Sequence, residues 1–371
     1  MVTLRTPLIG IFALLLHLLD PAQAETVVTQ PILTFTGHTS QVRAAIFSPD
    51  GTQVLTTGDK TARLWNANTG SCVRVFTGHV GAVLCADFSP DGAKLATGSY
   101  KEWKLWNVST GDCLQTLAAS WSVDSIAFSP DGRQVLHVDA MFAKLWDIST
   151  GENVISFDGH SAHVQSVDFS PDGTRVLTGS SDNTARLWEA ATGLRLRTFS
   201  HSNALCSVAF SPRGTYALTG SYDRKAILWN AITGNQIRTF SGHTDAVSSV
   251  AFSPSGTRIM TGSYDGSAKL WDVASGVCLR TFLWRGGEDN IASVAFSPDG
   301  SKVLTGSWDH KAYLWASGIE FHALTVQSEP TVGIDITGSR PGMTNYAVTC
   351  EEGEAVDLNA PPPHHHRRLC L

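Results

Sequence analysis

The chain has 371 residues, 42% hydrophobic and 16% charged: enough apolar material for a sizeable core and too much for wholesale disorder. A net charge of −6 excludes a nucleic-acid binder that works through a broad basic face, although a local basic patch stays open. Glycine (33) and tryptophan (11) are both frequent, a combination that a repeated turn-plus-aromatic unit produces.

The first element is an export signal. A short positive start ends at Arg5, and residues 8–19 are an apolar stretch too short to span a bilayer comfortably. Ala22-Gln23-Ala24 then supplies the small-x-small pattern of a signal-peptidase site. Residues 1–24 are therefore expected to be a signal peptide, with Glu25 the first mature residue and no membrane insertion after cleavage. The expected location is secreted or periplasmic. An uncleaved anchor is the alternative; a lipoprotein anchor is disfavoured because no Cys follows the apolar stretch.

From residue 25 to 324 the chain is read as one repeat domain. Phe-Ser-Pro-x-Gly recurs at Phe47, Phe88, Phe128, Phe169, Phe210, Phe252 and Phe296, and each copy is followed by a Leu-Trp pair ending at Trp65, Trp106, Trp146, Trp188, Trp229, Trp271 or Trp315. Each unit of some forty residues reads as four short strands. An alternating run such as 247–252 precedes Phe-Ser-Pro. Ser-Pro-Asp-Gly turns the chain, with Pro fixing φ, Asp bonding its own backbone and Gly taking the left-handed site. A second strand (175–178), a tight Gly-Ser-x-Asp turn, a third strand (185–188) and a fourth (194–199) complete the unit. Seven units predict an all-β fold: a seven-bladed β-propeller of four-stranded antiparallel blades. Two segments compete for the last outer strand, 32–35 at the N-terminal end and 318–324 at the other; the N-terminal one is preferred because it locks both chain ends together.

These markers resemble the WD-repeat β-propeller family, over roughly residues 32 to 316. Its Gly-His pair stands at Gly37-His38, Gly78-His79, Gly159-His160 and Gly242-His243, and its Trp-Asp at Trp146-Asp147 and Trp271-Asp272. The resemblance, together with the export signal, implies an exported member of bacterial type. It also implies a hydrogen-bonded chain of His, Ser/Thr, Asp and Trp inside a blade. The matching sets are His38, Thr57, Asp59 and Trp65; His160, Thr178, Asp182 and Trp188; His201, Thr219, Asp223 and Trp229; and His243, Thr261, Asp265 and Trp271. A recurring set of this kind reads as structural, because an active site is normally single.

Blades two, three and seven break the pattern. Blade two has Tyr100-Lys101 in place of the turn Asp, blade three has Ala119 for His and His137 for Thr, and blade seven has Gly286-Gly287 for Gly-His. Drift and partner contact are both open as causes. Just before the turn Asp stand Tyr222, Tyr264 and Trp308, with Tyr100 at that place in blade two and Trp121 and Trp284 in neighbouring loops. These six are the candidate partner-binding rim, since Tyr and Trp bring large contact area with few rotatable bonds; packing between turns is the competing reading.

Residues 325–371 form a C-terminal extension. Its alternating part resembles the opening strands of an immunoglobulin-like sandwich, too short to complete one, and the Pro- and His-rich end is expected to be disordered. Of the seven cysteines, the five in the ring are expected to form no essential disulfide, while a pairing of Cys350 with Cys370 in the tail stays open. No Gly-rich phosphate loop, Gly-x-Ser-x-Gly, His-Glu-x-x-His or Cys-x-x-Cys occurs. The expected function is a non-enzymatic scaffold that binds other proteins as a monomeric ring, without nucleic acid, cofactor or metal. The alternative is a ligand binder or hydrolase-type enzyme using the channel or rim, for which Asp139, His137, Glu102, His163 and His310 are the irregular polar residues.

Overall fold

The structure, a computed structural model, describes residues 25–283, 289–318, 321–327 and 345–351. The Ser-Pro-Asp-Gly turns show why the repeat is so regular. Ser48 Oγ donates to Asp50 (2.6 Å) and accepts from the Gln53 amide (2.9 Å), while Gly51 sits at φ 69°. The same closed ring recurs at Ser89, Ser129, Ser170 and Ser297, so the turn satisfies its own polar groups.

Seven antiparallel sheets result. Blade one is built from Ala44–Phe47, Gln53–Thr57, Thr61–Asn66 and Cys72–Thr77, and blades three to six repeat this order. In blade two the middle strands run together as Lys94–Asn107, reversing at Lys101 (φ 62°): the first half pairs with Cys85–Phe88 and the second with Cys113–Ser122. Blade seven takes Ile291–Phe296, Lys302–Ser307 and Lys311–Ala316 from the end of the domain and Leu33–Thr36 from its start. Leu33 pairs with Leu314 and Phe35 with Ala312, so the N-terminal segment closes the ring. Phe321–Gln327, across the expected boundary at 324, pairs instead with Asn345–Glu351. The remainder of the extension, including the proline- and histidine-rich end, lies outside the described residues, as does the signal segment.

One strand has no counterpart in the sequence reading. Thr26–Val28 adds in parallel to the outer strand of blade six, Cys278–Leu283, giving that blade a fifth strand. Glu25 anchors it, its carboxylate 2.8 Å from Lys269 Nζ and bonded to the Thr281 hydroxyl. Residues 25–28 therefore strap blade six before residues 33–36 close blade seven.

The core lies between blades. Phe157 of blade three meets Trp188 of blade four at 5.9 Å between ring centroids, and Phe199 meets Trp229 at 5.4 Å. Glycine permits the close approach: a Cβ on Gly179 would stand 2.6 Å from Val208 of the next blade. Cys72, Cys85, Cys113, Cys206 and Cys278 are all free thiols.

Candidate protein-binding face

Beneath one face of the ring each regular blade holds its polar chain. In blade four the Trp188 indole donates to Thr178 Oγ1 (2.9 Å), His160 Nε2 lies 2.7 Å from that hydroxyl, and His160 Nδ1 lies 2.8 Å from Asp182. A carboxylate only accepts, so Nδ1 carries the proton and the threonine hydroxyl donates to Nε2. Burial lowers the His160 pKa despite the neighbouring carboxylate. Against the opposing effect of burial, bonds from Thr184 and His160 hold Asp182 down at about 2. A neutral imidazole above an ionised acid is the resting state. His201, Asp223, Thr219 and Trp229 repeat this geometry, as do His243, Asp265, Thr261 and Trp271.

Three blades differ from the sequence reading. In blade one Thr56, not Thr57, receives the Trp65 indole (2.8 Å) and meets His38 (2.8 Å), with Asp59 3.3 Å from the imidazole. The turn is one residue shorter there, and strand alternation puts Thr56 on the Trp65 face while Thr57 faces away and caps the Ala44 amide. Blade two is complete: Glu102 supplies the carboxylate, 2.8 Å from His79, and Thr97 takes the indole of Trp106. Blade seven keeps its Trp315–Thr305 bond, and the Tyr313 hydroxyl donates to Asp309.

Blade three is rebuilt around aromatic rings. Trp103 of blade two occupies the place held by Ala62, Ala143, Ala185, Ala226, Ala268 and Ala312 in the other blades. It packs 5.9 Å from His137 and 6.4 Å from Trp146, filling the room left by Ala119. His137 is fully buried, with Nδ1 donating to the Val138 carbonyl, and burial drops its pKa to about 4. Asp139 accepts the Ser120 and Trp121 amides and Lys144, and so acts as the turn carboxylate. His163 lies 3.6 Å from Asp124, and His310 is an exposed turn residue of blade seven. Glu102, His137, Asp139 and His163 thus fall in blades two to four and His310 in blade seven, and none of them walls the part of the axial channel that carries Asp87 and Asp168.

That channel, about 390 Å³, is walled by the innermost strands and carries Asp87 and Asp168. Each accepts a next-blade amide at 2.7 Å, from Phe128 and Phe210, and burial lifts both carboxyls to about 7.

On the face above the polar chains, the rim aromatics separate into two groups. Amides of Tyr222, Tyr264 and Trp308 donate to the carbonyls of Ala204, Ala246 and Asn290, which fixes each turn against the loop entering its own blade. Tyr222 meets Tyr264 at 6.1 Å, Tyr264 meets Trp308 at 5.3 Å, and the Arg43 guanidinium of blade one lies 5.4 Å over the Trp308 ring. This is one ledge across blades five, six, seven and one. Tyr222 is 46% exposed, whereas Tyr264 and Trp308 are half-buried. Tyr100 (56% exposed) and Trp121 (57%) stand apart at blades two and three, linked through the Tyr100–Ser122 pairing. Trp284 lies outside the described residues. Sequence reasoning missed Arg43, which follows an ordinary strand-entrance valine; only the ring arrangement places it beside Trp308.

No curated protein matches the chain. A family profile described as WD domain, G-beta repeat matches residues 29–66, 70–107, 151–189, 193–230, 234–272 and 276–316, well over half of the chain. The stretch between, 108–150, which holds the first three strands of rebuilt blade three, is not among the matched ranges. Repeat signature and ring geometry agree: this chain belongs to the WD domain, G-beta repeat family.

Proposed function

We propose that the protein is a non-enzymatic scaffold that works outside the cytoplasm and binds another protein on the face carrying Tyr222, Tyr264 and Trp308. The observation that carries the reading is the continuous aromatic ledge, whose rings are held by backbone bonds at their turns and open on one face. Pre-ordered aromatic side chains lose little entropy on contact and supply the large contacts that dominate interfaces. WD-repeat propellers commonly serve as interaction scaffolds, which supports the same reading. Residues 1–24, as a cleaved signal, would leave Glu25 free to strap blade six.

The test is a comparative capture from the native envelope fraction. Wild-type ring and a Tyr222→Ala/Tyr264→Ala/Trp308→Ala variant of matched thermal stability serve as baits. The variant is expected to lose the retained protein; retention of every partner by both baits refutes the ledge. Intact mass of the exported protein is expected to begin at Glu25, and a retained residue 1–24 segment refutes the cleavage.

A further inference from the structure

We propose that the ledge accepts a short extended peptide with carboxylates near both ends of an apolar middle. This rests on the reading of the face as a protein-binding surface and names the chemistry of what binds there. The ledge is one continuous row of neighbours. Its successive steps of 6.1, 5.3 and 5.4 Å lead from Tyr222 through Tyr264 and Trp308 to the Arg43 guanidinium. The run is therefore roughly 17 Å at most, about five residues of extended chain.

Both ends of this row are basic. At one end Arg43 caps Trp308, and Lys60 occupies the exposed turn of the same blade. At the other, Arg224 and Lys225 follow Tyr222 in its own turn, both exposed. Arg224 is held at φ 69°, where the neighbouring blades have Asn183 and Gly266, residues that tolerate that region. The turn carboxylates keep their charge but are turned inward, Asp223 onto His201 and Asp265 onto His243, with side chains only 8% and 10% exposed, so a ligand on the ledge meets the exposed cations rather than these acids. Among the described residues of this arc, Asp245 and Asp289 are exposed acids, Asp245 caps the Ala246 amide, and Asp309 accepts the Tyr313 hydroxyl. Exposed cations, Arg43 and Lys60 at one end and Arg224 and Lys225 at the other, thus flank the aromatic rings. Apolar or aromatic residues match the three rings, and carboxylates match the guanidinium at each end.

Random heptapeptides displayed on phage are selected on the wild-type ring and counter-selected on a Tyr222→Ala/Tyr264→Ala ring. The expected winners carry Asp or Glu near both ends, with three to five residues between. Their Kd, read by fluorescence anisotropy, rises about tenfold in Arg43→Glu and in Arg224→Glu, and also on raising salt, since the pairs are exposed. Unfolding midpoints of the variants verify that these exposed substitutions leave the fold intact. Winners without acidic ends, or winners indifferent to both charge reversals, overturn the carboxylate proposal while the protein-binding face stands. No enrichment over the aromatic variant overturns both.

Discussion

Protonation of His137 is expected to destabilise the ring in mild acid. The imidazole is fully exposed in the unfolded chain, where it titrates near 6.5, but burial beside Trp103 and Trp146 lowers its folded value to about 4. The folded pKa of this base lies below the unfolded one, so between those values the unfolded chain holds more protons. Stability then falls as pH drops from 6.5 towards 4 and is fully present above 6.5. At ~1.4 kcal/mol per pH unit the complete effect is roughly 3 kcal/mol, of which about 2 develops between pH 7.5 and pH 5. His137→Thr, which restores the residue found in the regular blades, removes the titrating group; its packing cost is the same at both pH values and cancels. Urea unfolding followed by tryptophan fluorescence should show the wild-type advantage over His137→Thr shrinking by about 2 kcal/mol from pH 7.5 to pH 5. His137→Gln repeats the comparison should the threonine variant fold poorly. A difference that stays constant within ~0.5 kcal/mol refutes the assignment of a neutral, buried His137.

Two further outcomes follow from the polar groups. Thr56→Val orphans both the Trp65 indole and the His38 imidazole, and should cost about 2–4 kcal/mol in urea unfolding, at least ~1 kcal/mol more than Thr57→Val; equal costs contradict the blade-one register. Asp87→Asn and Asp168→Asn keep an acceptor for the Phe128 and Phe210 amides while removing a carboxyl whose folded pKa, about 7, exceeds the unfolded one. Wild type therefore loses stability as pH rises from about 4 to 7, and each variant should gain on it by about 1–3 kcal/mol at pH 8 but not at pH 4, the channel's openness moderating the gain; no gain at pH 8 refutes the burial.

Ring order, blade number and strand boundaries were legible because the turn chemistry is local: Ser, Pro and Gly recur in all seven turns, and in five of them Asp closes the ring of bonds without outside help. The closing strand was legible as one of two candidates, and its pairing with Lys311–Ala316 decides between them. What escaped depended on distance or on length. Thr56 was misassigned because the shortened blade-one turn moves the partner by one residue, hence to the other face of the strand. Glu102 was missed because its longer side chain reaches His79 from a different turn position. Trp103 compensates for Ala119 across a blade boundary, a relation that no single repeat displays. Thr26–Val28 joins blade six as a parallel edge strand, which leaves no turn signature beside it. In the candidate face, the aromatic positions could be read from the repeat, while their contact with one another and with Arg43 required the ring.

Closure by Leu33–Thr36 also has a consequence for the order in which the chain is made. The segment that completes blade seven, Leu33–Thr36, is synthesised before the strands of blades one to six, yet its partner, Lys311–Ala316, is made only after all of them. For most of translation the early strand has an unpaired edge and its future partner does not exist. Six blades can stack as they emerge, each against its predecessor, but the ring stays an open arc until the two ends meet. An arc that meets the early strand of a second copy before its own would join chains end to end. The Thr26–Val28 strap, resting on blade six, anchors the early strand next to the gap it must fill, so the final step joins neighbours within one molecule.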